Sequence, residues 1–155
     1  MIEAYRNGSD LHKLTASFLF DKPIENITDE ERKLGKIVNF GLIYGMGVAK
    51  FCLTTAKKHN IYLSKSQASQ FRQKFFLLYR GVAAYHRRIR QQWQAGTRIS
   101  YSLDGRRRVW SKRTKPTLNE LLNHPIQGTN ATIIKRALAL LDSTLLSKVP
   151  QVKLM

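Results

Sequence analysis

Apolar residues recur along most of this 155-residue chain at helical spacing, and turn formers punctuate them. Residues 10–20 set Leu11, Leu14, Ala16, Phe18 and Leu19 on a helical pattern, with Ser9 as its N-cap. The stretch DKPIEN (21–26) reads as a turn. Thr28-Asp29-Glu30-Glu31 is a capping box, in which the Thr28 hydroxyl and the Glu31 carboxylate each satisfy a free backbone N–H. The helix it opens runs to about Tyr44. Leu34, Ile37, Val38 and Leu42 form its core face, and Gly45 and Gly47 end it. Further helices are predicted from Val48 to His59 and from the well-capped Ser64 to Tyr79. Gly81 breaks the pattern before a long helix to Gln94.

Gly96 marks a boundary. RISYSL and RRVW read as strands around Asp104-Gly105, a hairpin signal, and a basic loop to Pro116 follows. Pro125 interrupts before a helix of about 20 residues, whose Ile134, Leu138, Leu141 and Leu145 form a buried stripe. Pro150 ends that helix, and QVKLM starts a strand. The fold class is mainly α with a small β hairpin, divided into residues 1–95 and 96–155.

One helical face changes this picture. Arg32, Lys36, Phe40 and Tyr44 are spaced four apart, so on a helix they form one slanting ridge roughly 18 Å long. It reads cation, cation, aromatic, aromatic with a hydroxyl, and Gly41 lies beside the phenyl ring. Two cations suit a polyphosphate, and two rings suit a sugar and a base. The same spacing also fits a solvated basic turn followed by a core aromatic pair, and spacing alone leaves both open.

Composition points to nucleic acid. The formal net charge is +17, and it is uneven: residues 1–45 carry −1 and residues 46–155 carry +18. After Glu31 the acidic residues are Asp104, Glu120 and Asp142. A field of this sign attracts phosphate backbones and gives salt-dependent, sequence-blind affinity. A membrane surface fits less well, because the basic residues are spread over several helices with no strongly apolar face beside them. The single cysteine, Cys52, excludes an internal disulfide and fits a reducing compartment. No run of 18 apolar residues and no signal peptide is evident, so a cytosolic, soluble chain is expected.

The motif R-x3-K-x2-NFG-x-IYG (32–45) resembles the nucleotide-binding fingers helix of family A DNA polymerases, the DNA polymerase I family. DLHKLTA (10–16) is similar to the upstream fingers motif of that family. LDGRRR (103–108) and NHPIQGT-x2-TIIKRAL (123–138) resemble its palm segments, in the same order. The resemblance covers nearly the whole chain. It implies polymerase fingers helices over residues 1–95 and part of an α+β palm over 96–155.

Roles follow from the resemblance. It implies that Lys36 is catalytic, contacting the phosphates of the incoming dNTP and serving as a candidate proton donor to the departing pyrophosphate. Arg32 would bind the γ-phosphate and His12 would lie near the β-phosphate. Phe40 would lie against the deoxyribose and base, with Gly41 allowing close approach and Tyr44 stacking at the templating position. Asn123 and Gln127 resemble the pair that reaches the minor groove at the primer terminus. From their density along the chain alone, Arg106, Arg107 and Arg108, with Lys112, Arg113 and Lys115, form a cationic patch suited to DNA phosphates, and a merely solvated loop is the alternative. Trp93, Trp110 and Cys52 read as packing residues.

The family's metal-binding aspartates sit in a DYSQIELR-like strand and a VHDE-like hairpin, and neither motif occurs here. The resemblance therefore implies Mg²⁺ as the cofactor of a full-length enzyme whose metal ligands are not in this chain, with no metal site of its own. Primer-template DNA, dNTP and the remainder of the polymerase are the implied partners, without a membrane. The cytoplasm, in association with the nucleoid, is implied if the source is bacterial. Asn119 stands where the family usually has a DNA-contacting arginine, the stretch 104–123 is short, and GVAKFCLTTAKKHN is atypical. These departures fit a divergent member, including a viral or organellar one. The expected function is the fingers and partial palm of a DNA-directed DNA polymerase in replication or repair, inactive as an isolated piece. The alternative is a non-catalytic basic nucleic-acid-binding protein derived from a polymerase.

Overall fold

The computed structural model describes residues 1–144; the expectations for Leu145, Pro150 and QVKLM fall outside them. The chain divides into two compact units, Met1–Gln91 and Gln92–Met155. It is mainly α with one two-stranded antiparallel sheet.

The first unit opens with a short helix that the sequence reading does not predict, α1 (Ile2–Arg6). The Ser9 N–H donates to the Ala4 carbonyl and closes its end, so Ser9 belongs to that turn. The N-cap of α2 (Leu11–Phe20) is therefore Asp10 and not Ser9: Asp10 Oδ1 accepts from the N–H groups of His12 at 2.8 Å and Lys13 at 3.0 Å. A 3-10 turn, Ile24–Asn26, leads to α3 (Asp29–Ile43).

Both halves of the Thr28/Glu31 capping box form, at 3.2 Å for Glu31 N–H to Thr28 Oγ1 and 3.0 Å for Thr28 N–H to Glu31 Oε2. Lys22 adds an ion pair to Glu31 at 2.5 Å. Replacing Thr28 by alanine removes one arm of the box. We expect a loss of about 1 kcal/mol, read as a lowered urea midpoint with unchanged slope.

The far end of α3 closes by a Schellman motif. Gly45 takes φ 78°, its N–H donates to Leu42 O, and the Met46 N–H donates to Gly41 O at 2.9 Å. Gly45 thus ends α3, but Gly47 does not: it is the N-cap of α4 (Val48–His59), with φ −78°. The next helix, α5 (Lys65–Leu78), starts from a second capping box, Ser64 with Gln67. It is separated from α6 (Arg80–Gln94) by Tyr79 alone, at φ −110° and ψ 65°. The break expected at Gly81 is therefore at Tyr79, and Gly81 lies in the first turn of α6. The cause is tertiary: Tyr79 is buried, with its hydroxyl 2.7 Å from Thr15 Oγ1.

The core of this unit gathers Leu11 and Leu19 of α2, the predicted face Leu34, Ile37, Val38 and Leu42 of α3, Phe51 of α4 and Phe75 of α5. Each such side chain contributes about 1.5–3 kcal/mol by leaving water. Cys52 packs at its edge, as expected. Helices α2 and α3 meet at Gly35, where a Cβ would stand 2.4 Å from the His12 carbonyl oxygen.

In the second unit, β1 (Ile99–Tyr101) pairs with β2 (Arg107–Val109) in the register Ile99↔Val109, Ser100↔Arg108, Tyr101↔Arg107. The turn uses Gly105 at φ 82°, as the Asp-Gly signal predicts. Helix α7 (Leu118–Thr144) is 27 residues long and contains Pro125 in its interior. Pro125 thus does not delay the helix. A capping box that the sequence reading passed over, Thr117-Leu118-Asn119-Glu120, starts it earlier: Thr117 N–H donates to Glu120 Oε2 at 2.9 Å and Glu120 N–H to Thr117 Oγ1 at 3.2 Å. Burial of Leu121 and Leu122 holds the turn before the proline against its helix-breaking tendency.

The expected buried stripe on α7 is also corrected. Ile134, Leu138 and Leu141 are 51, 45 and 38% exposed. The hairpin packs against the first half of α7, through Ser100 to His124 and the Leu103 N–H to Thr129, and the later turns extend beyond it.

Candidate functional site

Helix α3 presents its ridge because its opposite face is committed to the core. Lys36 is exposed, Phe40 is 54% exposed, and Arg32 and the C-cap Tyr44 are half-buried. The core aromatic pair considered above is therefore not formed by Phe40. Gly41 is buried, and the space its Cβ would need is occupied by Met46, whose thioether lies 3.1 Å from that position. Within this unit the open approach expected at Gly41 is filled by the side chain that closes the Schellman motif.

Helix α2 brings His12 to the ridge. Its ring lies 5.8 Å from that of Phe40, centroid to centroid, tilted by 49°. His12 Nδ1 accepts from Asn39 Nδ2 at 3.1 Å, which puts the proton of the neutral ring on Nε2. Burial lowers the His12 pKa; Asp10 opposes this, and Arg32 and Lys36 lower it further. The imidazole is therefore neutral at pH 7, with Nε2–H as its donor.

Asp10, Asn39, Thr15 and Tyr79 are the residues that sequence reasoning missed. Arg32 Nε donates to Asp10 Oδ2 at 2.7 Å, so Asp10 holds the α2 cap with one oxygen and the ridge arginine with the other. Burial alone would raise the Asp10 carboxyl, but hydrogen bonds from Arg32, Lys13 and His12 hold it below its ordinary value. Behind the ridge, Thr15 Oγ1 stands 2.8 Å from Leu11 O, 3.0 Å from Asn39 Oδ1 and 2.7 Å from Tyr79 Oη. All three side chains of this network are buried. A sequence signal existed for Asn39: it is a polar residue between Val38 and Leu42 on the buried face.

The second unit carries the other candidates. Arg106, Arg107 and Arg108 are exposed on the hairpin, and Lys112, Arg113 and Lys115 on the loop after it. Arg108 is already engaged, 3.4 Å from Glu120 and 4.6 Å above the Trp110 ring. Lys115 sits 5.1 Å over Trp93, whose Nε1 donates to Pro116 O. Both tryptophans thus serve as anchors under cations. Asn123 and Gln127 are one turn apart on α7; Gln127 is exposed, and the buried Asn123 Oδ1 has no hydrogen-bond partner.

Among the described residues no group of three or more His, Cys, Asp or Glu side chains could hold a metal ion, so the described residues do not by themselves fit a Mg²⁺ site. No described helix is long and apolar enough to cross a membrane.

Known proteins resemble this chain in sequence and in fold. The sequence is 34% identical to DNA polymerase I of Aquifex aeolicus over 149 residues, covering 96% of this chain and 25% of that polymerase. It is 34% identical to DNA polymerase I of Pseudomonas aeruginosa, over 94% of this chain and 16% of that one. The POL domain of Pol1 from M. smegmatis, solved with DNA primer-template and dNTP, superposes with a TM-score of 0.75 at 30% identity; the match covers 97% of this chain and 26% of that one. The chain thus spans about a quarter or less of the relatives it matches. The sequence profile of DNA polymerase family A matches residues 1–155, and the chain belongs to that family.

Proposed function

We propose that this chain is the fingers, residues 1–95, and part of the palm, residues 96–155, of a DNA-directed DNA polymerase, and that α3 binds the triphosphate of the incoming dNTP. The observation that carries the reading is the line Arg32, Lys36, Phe40 with His12 beside it, on a helix whose other face is buried.

Arg32 keeps Nε on Asp10 and offers its two Nη groups to the γ-phosphate, a fork that matches phosphate oxygens. His12 donates Nε2–H to the β-phosphate. Lys36 neutralises charge building on the leaving pyrophosphate and hands it a proton. Phe40 covers the deoxyribose, and Tyr44 stacks at the templating position. On the palm side Asn123 and Gln127 reach minor-groove acceptors that every base pair offers, so they sense pairing geometry and not sequence. Arg106, Arg107 and Arg108 hold phosphates of the duplex. Divalent metal supplies charge neutralisation in this reaction class, and its ligands belong to the rest of the polymerase.

The test is triphosphate binding by the 155-residue chain, followed with a fluorescent dATP analogue. Arg32→Ala with Lys36→Ala should weaken the triphosphate about tenfold or more and leave the nucleoside unchanged. Equal loss for both ligands sinks the assignment and favours a basic nucleic-acid-binding protein without nucleotide chemistry, the reading that the +17 charge supports. With Mg²⁺ and a primer-template the same chain should give no extension, and incorporation of a single nucleotide would overturn that expectation.

A further inference from the structure

Away from the ridge, the first unit has an open cleft of about 410 Å³ between α5 and α6. Arg72 and Phe76 line it from α5, and Ala83, His86, Arg87 and Arg90 from α6. These sets are at helical spacing, so α6 offers cations on successive turns at about 5 Å intervals along its axis. No carboxylate lines the cleft, and none of its three arginines is in an ion pair among the described residues. The sequence explains this, since no acidic residue lies between Glu31 and Asp104. Three guanidiniums in one cleft repel one another, and a polyanion is what relieves them.

The floor sets their geometry. Arg72 stacks 5.1 Å over the Phe76 ring, and Phe76 meets His86 edge-on at 5.2 Å. A guanidinium held over a ring face restrains the side chain and keeps N–H donors available for an oxygen ligand. His86 Nε2 donates to Ile43 O at 3.0 Å, the last helical residue of α3, so the cleft is joined to the ridge helix beside Tyr44. Burial lowers the His86 pKa, the Ile43 contact opposes this, and Arg72 and Arg90 lower it further, so the arginines supply the charge.

We propose that this α5–α6 cleft binds the phosphodiester backbone of a single nucleic-acid strand, as a contact separate from the triphosphate ridge and independent of that assignment. Arginines from two helices converge on one open cleft, an arrangement suited to the phosphates of one backbone; the duplex arm of the test below decides whether a double strand is excluded. Guanidinium–phosphate contacts without exposed base-reading groups make the contact sequence-blind and salt-dependent.

The experiment is fluorescence anisotropy of the chain with a short labelled oligothymidylate over a series of salt concentrations. Arg87→Gln with Arg90→Gln, both at exposed positions, should weaken the strand about tenfold at low salt and shrink the log–log salt slope by about 1.4, at roughly 0.7 per phosphate contact. Circular dichroism should show the helix content unchanged. Lys57→Gln with Lys58→Gln removes the same charge from exposed positions elsewhere and should cost less than about twofold. If the lysine pair costs as much, the affinity belongs to net charge and the proposal fails. If a hairpin duplex loses as much as the strand, the cleft does not select a single backbone. If free dATP competes with the strand in wild type but not in the arginine variant, the ligand is a free polyphosphate instead. Arg32 and Lys36 variants leave the strand contact intact, which keeps failure here distinct from failure of the triphosphate reading.

Discussion

Replacing Lys36 by alanine in a full-length polymerase carrying this segment is expected to slow nucleotide incorporation by about 10²–10³-fold while primer-template affinity changes by less than about threefold. Lys36 is exposed on α3 between Arg32 and Phe40, and no described residue forms an ion pair with it. Its removal therefore costs the fold little. In the proposed role the loss is of a positive charge aimed at oxygens that gain charge only as the pyrophosphate departs, so the rate should fall and ground-state DNA binding should not. Single-turnover incorporation and DNA anisotropy on the same preparation separate the two. Parallel losses would mean that Lys36 is a general phosphate contact. Lys36→Arg should recover part of the rate, since it returns the charge but not a transferable proton.

Gly35→Ala should be among the most damaging single-methyl changes in the first unit, with a drop in melting temperature of about 10 °C or more. The added Cβ would stand 2.4 Å from the His12 carbonyl oxygen and 3.2 Å from Ala16 Cβ. Neither obstacle is a flexible side chain, so α2 must move bodily away from α3, at about 1–3 kcal/mol or more. The same shift separates Asp10 from Arg32 and His12 from Phe40, so triphosphate affinity should fall with stability. Gly81→Ala is the contrasting case. It sits in the first turn of α6 with nothing within 4 Å of its Cβ position, and alanine there should be neutral or stabilising by a few tenths of a kcal/mol. Thermal melts of the two variants beside wild type decide the matter: equal effects would show that helix propensity, and not the α2–α3 contact, governs Gly35.

Much of this architecture could be read in the chain because its signals are local. The boxes at Thr28 and Ser64 are closed by a partner three residues on, and the α3 ridge follows from helix geometry once the helix exists. Val48–His59 and the hairpin around Asp104-Gly105 were legible for the same reason. Where local signals compete, packing decides between them. Ser9 and Asp10 are both good caps, and only the closure of α1 by Ser9 leaves the cap to Asp10. Pro125 and the Thr117-x-x-Glu120 box give opposite local signals, and burial of Leu121 and Leu122 outweighs the proline.

By itself, then, the sequence determined most of the helices, the caps at Thr28 and Ser64, the hairpin turn, the spacing of the ridge and the family. Only the tertiary structure decided which ridge groups are already occupied and how they are held. Arg32 meets Asp10 from 22 residues away, His12 receives its proton placement from Asn39 at 27, and the kink between α5 and α6 is pinned by a Tyr79–Thr15 contact across 64. It also decided that arginines from two helices face one cleft and that the apolar stripe of α7 is exposed. The physical reason is range. A cap or a helical face is fixed by bonds within four residues, whereas a polar group in a core is fixed by whichever distant partner the packing brings within 3 Å of it.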